Sequence, residues 1–99
     1  MTSRDRYLQR IYKITEAQYE KLLFWGNFRC WICGKPPTKR RLHVEHDHRT
    51  GRIRGLACWS CNTLLQRAHD DPGILRSAVK YLESYEADHI LERDVIIDA

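Results

Sequence analysis

The sequence predicts a small α+β domain: two short antiparallel strands and a following helix, flanked by helices towards both chain ends. Three observations carry that expectation. Two Cys-x-x-Cys pairs, Cys30/Cys33 and Cys58/Cys61, bracket the middle of the chain. Between them "RLHVEH" and "RIRGLA" read as strands on either side of a "DHRTG" turn. Outside them, "DRYLQRIYKI", "ITEAQYEKLLFW" and "PGILRSAVKYLESYEADHILERD" space apolar residues three and four apart, as amphipathic helices do. At 99 residues the chain reads as one domain, 1–99, with a core of about 28–69 and a C-terminal helical extension of about 71–93.

Each element has its own local cause. Tyr7, Leu8, Ile11 and Tyr12 form the stripe of a first helix. Thr15 with Gln18 three residues on is a capping box, and Ile14 with Tyr19 occupies the staple positions of a second helix, which Gly26-Asn27 ends. After the first cysteine pair Gly34 relieves crowding in the knuckle, and Pro36-Pro37 forbids helix. Strand alternation turns His43, Glu45 and Asp47 one way and Val44 and His46 the other. A third helix starts near the second cysteine pair and runs through "CNTLLQRAH". Asp71-Pro72, an N-cap followed by proline at the first helical position, opens the last helix, with Leu75, Val79, Leu82 and Tyr85 on one face.

The cysteine spacing suits two pairs of thiolates gripping one tetrahedral ion better than it suits a disulfide framework, and points to structural Zn2+. Bound iron and a redox dithiol are the other chemistries such pairs serve. A structural zinc contributes on the order of 10 kcal/mol to folding, comparable to the whole stability of a small domain. Cys61 and Asn62 are adjacent, so an ion that fixes Cys61 also fixes the helix turn carrying Asn62. The charged start of the chain has no apolar leader core, and runs such as "LLFW" are too short to span a bilayer. The chain is therefore expected to be soluble and cytoplasmic, with no membrane partner, where cysteines stay reduced.

Charge is distributed unevenly. Residues 1–67 carry 14 Lys and Arg against 5 Asp and Glu, a balance of +9, whereas residues 68–99 carry 3 against 8, a balance of −5. The basic part is a surface for a polyanion, and nucleic acid is the commonest one. Lys39, Arg40, Arg41, Arg49, Arg52 and Arg54 are the candidates for holding a DNA backbone. Within "LHVEHDH", an acid beside a histidine at a strand end, opposed by an asparagine from a helix, meets the needs of one-metal phosphodiester hydrolysis. Those needs are hard oxygen ligands for Mg2+ and a separate imidazole to take a proton from water. A second zinc, or inert surface histidines, would be the other reading, but neither accounts for Asn62 or the arginines.

The run "CWIC" followed by "HVEHDHRTGRIRGLACWSCN" resembles the recombination endonuclease VII family, a phage branch of the HNH (ββα-metal, His-Me finger) nucleases. "ITEAQYEKLL" and, more weakly, "DDPGILRSAVKYLE" extend the resemblance over about residues 7–86. It implies a zinc-stapled ββα-metal core, with the structural zinc on Cys30, Cys33, Cys58 and Cys61. It further implies a catalytic Mg2+ or Mn2+ on Glu45 and Asn62, and His46 as the general base. His48 would be a metal neighbour or phosphate contact and His43 a supporting member, while Arg54-Gly55 matches the family's Arg-Gly step, with Arg54 clamping a phosphate. The implied activity is metal-dependent cleavage of DNA, by nicking or at Holliday and other branched junctions, in the host cytoplasm of a phage. A non-catalytic zinc-stabilised DNA-binding module is the alternative, and so is a protein-interaction domain that docks through its acidic C-terminal helix. The family usually has Asp where this chain has Glu45, one methylene longer, which bears on metal preference and rate. The C-terminal helix is the candidate surface for a homodimer, although it is shorter than the region that intertwines in a junction-cutting relative.

Overall fold

The structure is a computed structural model that describes residues 2–98. Thr2 caps α1 (Ser3–Tyr12), its hydroxyl accepting from the Asp5 amide at 2.9 Å, so the helix opens two residues before the segment read from the sequence, which begins at Asp5. The predicted capping box forms at α2 (Glu16–Trp25). The Thr15 hydroxyl accepts from the Gln18 amide at 3.1 Å, and the Gln18 carboxamide oxygen accepts from the Thr15 amide at 2.8 Å. Asp5 ties the two helices together by accepting from the Glu16 amide at 2.7 Å.

Strands β1 (His43–His46) and β2 (Ile53–Ala57) pair antiparallel in a two-stranded sheet. The register runs His43 to Ala57, Val44 to Leu56 and Glu45 to Gly55, then jumps to His46 opposite Ile53. Arg54 is thus an extra residue in β2, and a bulge of this kind bends the strand and re-aims its side chains. Asp47 organises the turn: its carboxylate accepts from the Arg49 and Thr50 amides at 2.8 and 3.2 Å, and Gly51 supplies a φ of +80°. Helix α3 (Trp59–Arg67) packs on both strands, and α2 packs on β2. His69 and Asp70, both at φ 55°, then turn the chain into α4 (Pro72–Ser84), whose N-cap Asp71 accepts from the Gly73 amide at 2.8 Å.

The long C-terminal helix of the sequence reading is corrected to two. Tyr85 takes a left-handed conformation and closes α4, and only a short α5 (Ala87–Leu91) follows. Three and four residues beyond Tyr85 lie Asp88 and His89, so the apolar stripe has no next rung. The stripe that does exist is unpartnered: no α4 residue is buried, and Val79 is 54% exposed, Leu82 71% and Tyr85 71%. Among the described residues no helix is long and apolar enough to cross a membrane.

Leu8, Tyr19, Leu42, Val44, Leu56 and Ala57 form the core together with Cys30 and Cys61. The Tyr19 hydroxyl donates to the Leu42 carbonyl at 2.6 Å and anchors α2 to the segment entering β1. The Trp31 indole fills the space over Gly55, where a Cβ would meet its ring at 2.3 Å. Glycine in the Arg54-Gly55 step therefore makes room for an aromatic ring. Gly55→Ala is expected to cost about 1–3 kcal/mol as overpacking, read as a lower Tm; an unchanged Tm would show that the indole yields freely.

Candidate metal centre and histidine cluster

The first Cys-x-x-Cys knuckle follows α2 and the second opens α3, so the β hairpin folds back between them and brings all four sulfurs together. The Sγ atoms of Cys30, Cys33, Cys58 and Cys61 all lie within 4.8 Å of one another, with Cys33 and Cys58 3.9 Å apart. Tetrahedral coordination at about 2.3 Å from each sulfur places ligands about 3.8 Å apart, so the cluster has the dimensions of a structural zinc site. Backbone amides aim at the sulfurs: Ile32 and Cys58 donate to Cys30 at 3.4 and 3.3 Å, and Cys61 donates to Cys58 at 3.4 Å. Burial works to raise the Cys30 thiol, yet the amides of Cys33, Cys58 and Ile32 outweigh it and hold it at about 6. Cys61 is pushed up, by burial first and then by the neighbouring thiols. Four sulfurs this close do not all ionise unaided, and a bound cation would supply the missing compensation.

At the bulged end of β1 a second cluster forms. The His46 and His48 rings lie 4.9 Å apart, and Tyr12 from α1 approaches His46 with ring centroids 6.3 Å apart. Glu45 is buried at 4% exposure, and both its oxygens accept from the bulge residue Arg54, one from Nε at 2.9 Å and the other from Nη2. Arg54 Nη2 also reaches the His46 carbonyl and the Asp70 carboxylate, each at 3.2 Å. Asp70 in turn meets His48, with its Oδ2 2.9 Å from Nδ1 and 3.3 Å from the backbone nitrogen. The side-chain hydrogen bond with His48, followed by those from the His48 amide and Arg54, holds Asp70 at about 2. Beside this network opens a cleft of about 940 Å³, lined among others by Asp47, His48, Arg49, Gln66 and Asp70. Asn62 is half-buried on α3 four residues before Gln66, and so on the same helical face.

The structure gathers Glu45, His46, His48 and Arg54 into one network, His46 through its carbonyl and its ring, but leaves both His43 and the Asn62 side chain out of it. His43 borders a separate cleft of about 200 Å³ with Arg4, Tyr7, Tyr12, Arg40 and Arg41. Lys39 and Arg40 also line a third cleft beside Cys33 and Trp59, where the Arg40 guanidinium lies 5.8 Å from the indole centroid. Arg49 faces the first cleft, and Arg52 is exposed where the hairpin enters β2. Arg54, read as a phosphate clamp, has its guanidinium engaged by Glu45 and Asp70 instead. Sequence reasoning missed Asp70 and Tyr12. The acid repeated before proline in "DDP" was the one signal for the former; the latter looked like an ordinary stripe residue.

The chain belongs to the recombination endonuclease VII family, whose profile matches residues 5–84. It is 38% identical over 101 residues to the Gene 59 protein of Mycobacterium phage D29, covering 99% of this chain and 61% of that relative. To the Gene 59 protein of Mycobacterium phage L5 it is 37% identical over 83 residues, covering 82% of this chain and 51% of the relative. The chain thus spans between half and two thirds of the length of these relatives. No solved structure matches it.

Proposed function

We propose that the chain is a metal-dependent DNA endonuclease of the HNH type, a ββα-metal or His-Me finger enzyme, with His46 as general base and Mg2+ or Mn2+ held by Glu45 and Asn62. The observation that carries this reading is the packing of the His46 and His48 rings at the end of β1, with His48 linked through Asp70 and Arg54 to the buried Glu45 carboxylate, beside a cleft that Gln66 of α3 helps to line. The donor set fits a hard ion: carboxylate and amide oxygens suit Mg2+, whereas the four sulfurs suit a structural Zn2+. A carboxylate has about four lone-pair sites and Arg54 takes two, so Glu45 retains acceptor capacity. When bound, the ion supplies charge stabilisation for the phosphoryl oxygens.

The chain's own residues do the rest. A ring nitrogen of His46 accepts the proton of an attacking water while the Tyr12 and His48 rings confine the imidazole. The water oxygen bonds to phosphorus and the bond to the 3′ oxygen breaks, leaving a 5′ phosphate on one product. Arg49, Arg52, Lys39, Arg40 and Arg41 hold the strand electrostatically, and Arg54 holds Glu45 in place. A second copy is proposed to cover the α4 stripe of Val79, Leu82 and Tyr85, because cutting two strands symmetrically requires two sites. Junction cleavage and action in a phage's host cytoplasm belong to the same proposal, supported by the family and by the phage origin of the relatives.

Zinc-loaded protein is expected to nick supercoiled plasmid with Mg2+ or Mn2+ and to stop on chelation of the added ion. Junction, duplex and single-stranded substrates compared side by side, with mass measured in solution, define substrate shape and oligomeric state. Binding without cleavage in every divalent metal tried would favour the non-catalytic zinc module. Binding is also expected to weaken steeply with salt: about five phosphate contacts give a fall of roughly 500-fold between 50 and 200 mM. A flat salt response would remove the basic clefts from the interface.

A further inference from the structure

Asp70 stands outside every motif in the chain, yet it joins two side chains of the histidine cluster. It lies in the turn between α3 and α4, where successive left-handed residues, His69 and Asp70 at φ 55°, swing its carboxylate back over the hairpin. One oxygen meets His48 Nδ1 at 2.9 Å and the His48 amide at 3.3 Å; the other accepts from Arg54 at 3.2 Å. We infer that Asp70 is a positioning residue of the nuclease site, which fixes the His48 ring so that the Nε2 lone pair faces the cleft and accepts a hydrogen bond from a water held there beside the substrate. This rests on the endonuclease reading for the substrate, though not for the ring orientation.

An ionised carboxylate can only accept, and Asp70, held at about 2, is ionised throughout the working range. His48 Nδ1 must therefore carry the proton, which leaves Nε2 as the atom available to a ligand; the partner of one ring nitrogen sets the task of the other. The His48 amide bonds to the same oxygen, so backbone and ring are fixed together and the ring cannot turn over without losing the contact. Both residues line the 940 Å³ cleft, into which Arg49 also projects its charge. The Arg54 bridge couples this support to Glu45, so one carboxylate steadies both sides of the cluster. Asp71, the next residue, makes none of these contacts and caps α4.

The decisive measurement needs no turnover. In the zinc-loaded full chain, nitrogen-15 shifts of the His48 ring, read above its titration, are expected to show Nδ1 protonated. In Asp70→Asn the same shifts are expected to show a mixture of tautomers, since an amide accepts or donates. Wild-type protein with the proton on Nε2 overturns the proposal even if the enzyme cleaves DNA. On the activity side, Asp70→Asn is expected to lower kcat by about 10- to 100-fold, the usual effect of losing a supporting hydrogen bond, with KM changed less than about 2-fold. Asp70→Glu is expected to recover part of the loss. Full activity of Asp70→Asn under conditions where His46→Ala is dead overturns the positioning role and leaves the endonuclease reading standing. If the wild type cleaves nothing, the endonuclease reading fails and the tautomer measurement alone decides how Asp70 holds His48.

Discussion

Removing the metal from the four-cysteine cluster is expected to unfold the domain rather than loosen it. Two of the eight residues in the central cluster, Cys30 and Cys61, also belong to the four-sulfur cluster, so the core and the candidate metal site are one structure. The two knuckles hold the ends of the hairpin against α3, and the Cys58 side chain serves as the N-cap of that helix. A structural zinc contributes on the order of 10 kcal/mol, and a domain of this size has about 5–15 kcal/mol in total, so losing the ion leaves little or nothing. Chelation, or Cys61→Ser, should therefore abolish the cooperative thermal transition and most of the helical circular dichroism, and zinc added back to chelated wild type should restore both. Metal analysis should give one zinc per chain and separates zinc from iron. A metal-free chain that still melts cooperatively near the holo temperature would show that the apolar core suffices and that the cysteines are incidental to folding.

The elements and the two cysteine pairs were legible because their causes are local. The Thr15/Gln18 box lies within four residues, and each thiol pair within four, so their geometry follows from the neighbouring chain. What was not legible depends on contacts that local pattern does not carry. Alternation alone sends Glu45 and His46 to opposite faces, but the skipped Arg54 breaks the register between them, and its guanidinium turns to the buried Glu45. A burial penalty for an unpaired carboxylate makes that choice, and no two-residue pattern announces it. Asp70 reaches His48 from 22 residues away through two left-handed residues, neither of them glycine, which is where conformation of this kind is hardest to anticipate. The family resemblance made His43 a supporting member of the site, yet its Nε2 is buried without a hydrogen-bond partner on the side of the smaller cleft.

His46→Ala is expected to lower the rate of DNA cleavage by about 10²–10⁴-fold while leaving binding nearly unchanged, the range for removing a general acid or base. The imidazole is half-buried between Tyr12 and His48 at the edge of the hairpin rather than in the core, so its loss leaves the thiol cluster and the Leu8, Tyr19 and Leu56 packing untouched. On the proposed reading the arginines and lysines of the clefts bind the strand, and none of them uses His46 as a partner, so the dissociation constant should move by less than about 3-fold while kcat collapses. Zinc content and Tm equal to wild type exclude unfolding as the cause. Because the truncation leaves a space the size of the ring, added imidazole should restore part of the activity, which a structural role for His46 would not permit. A His46→Ala protein that cleaves at the wild-type rate, with the same dependence on added Mg2+, would take the proton-accepting step away from this residue; attention would then pass to His48, 4.9 Å away and already oriented by Asp70.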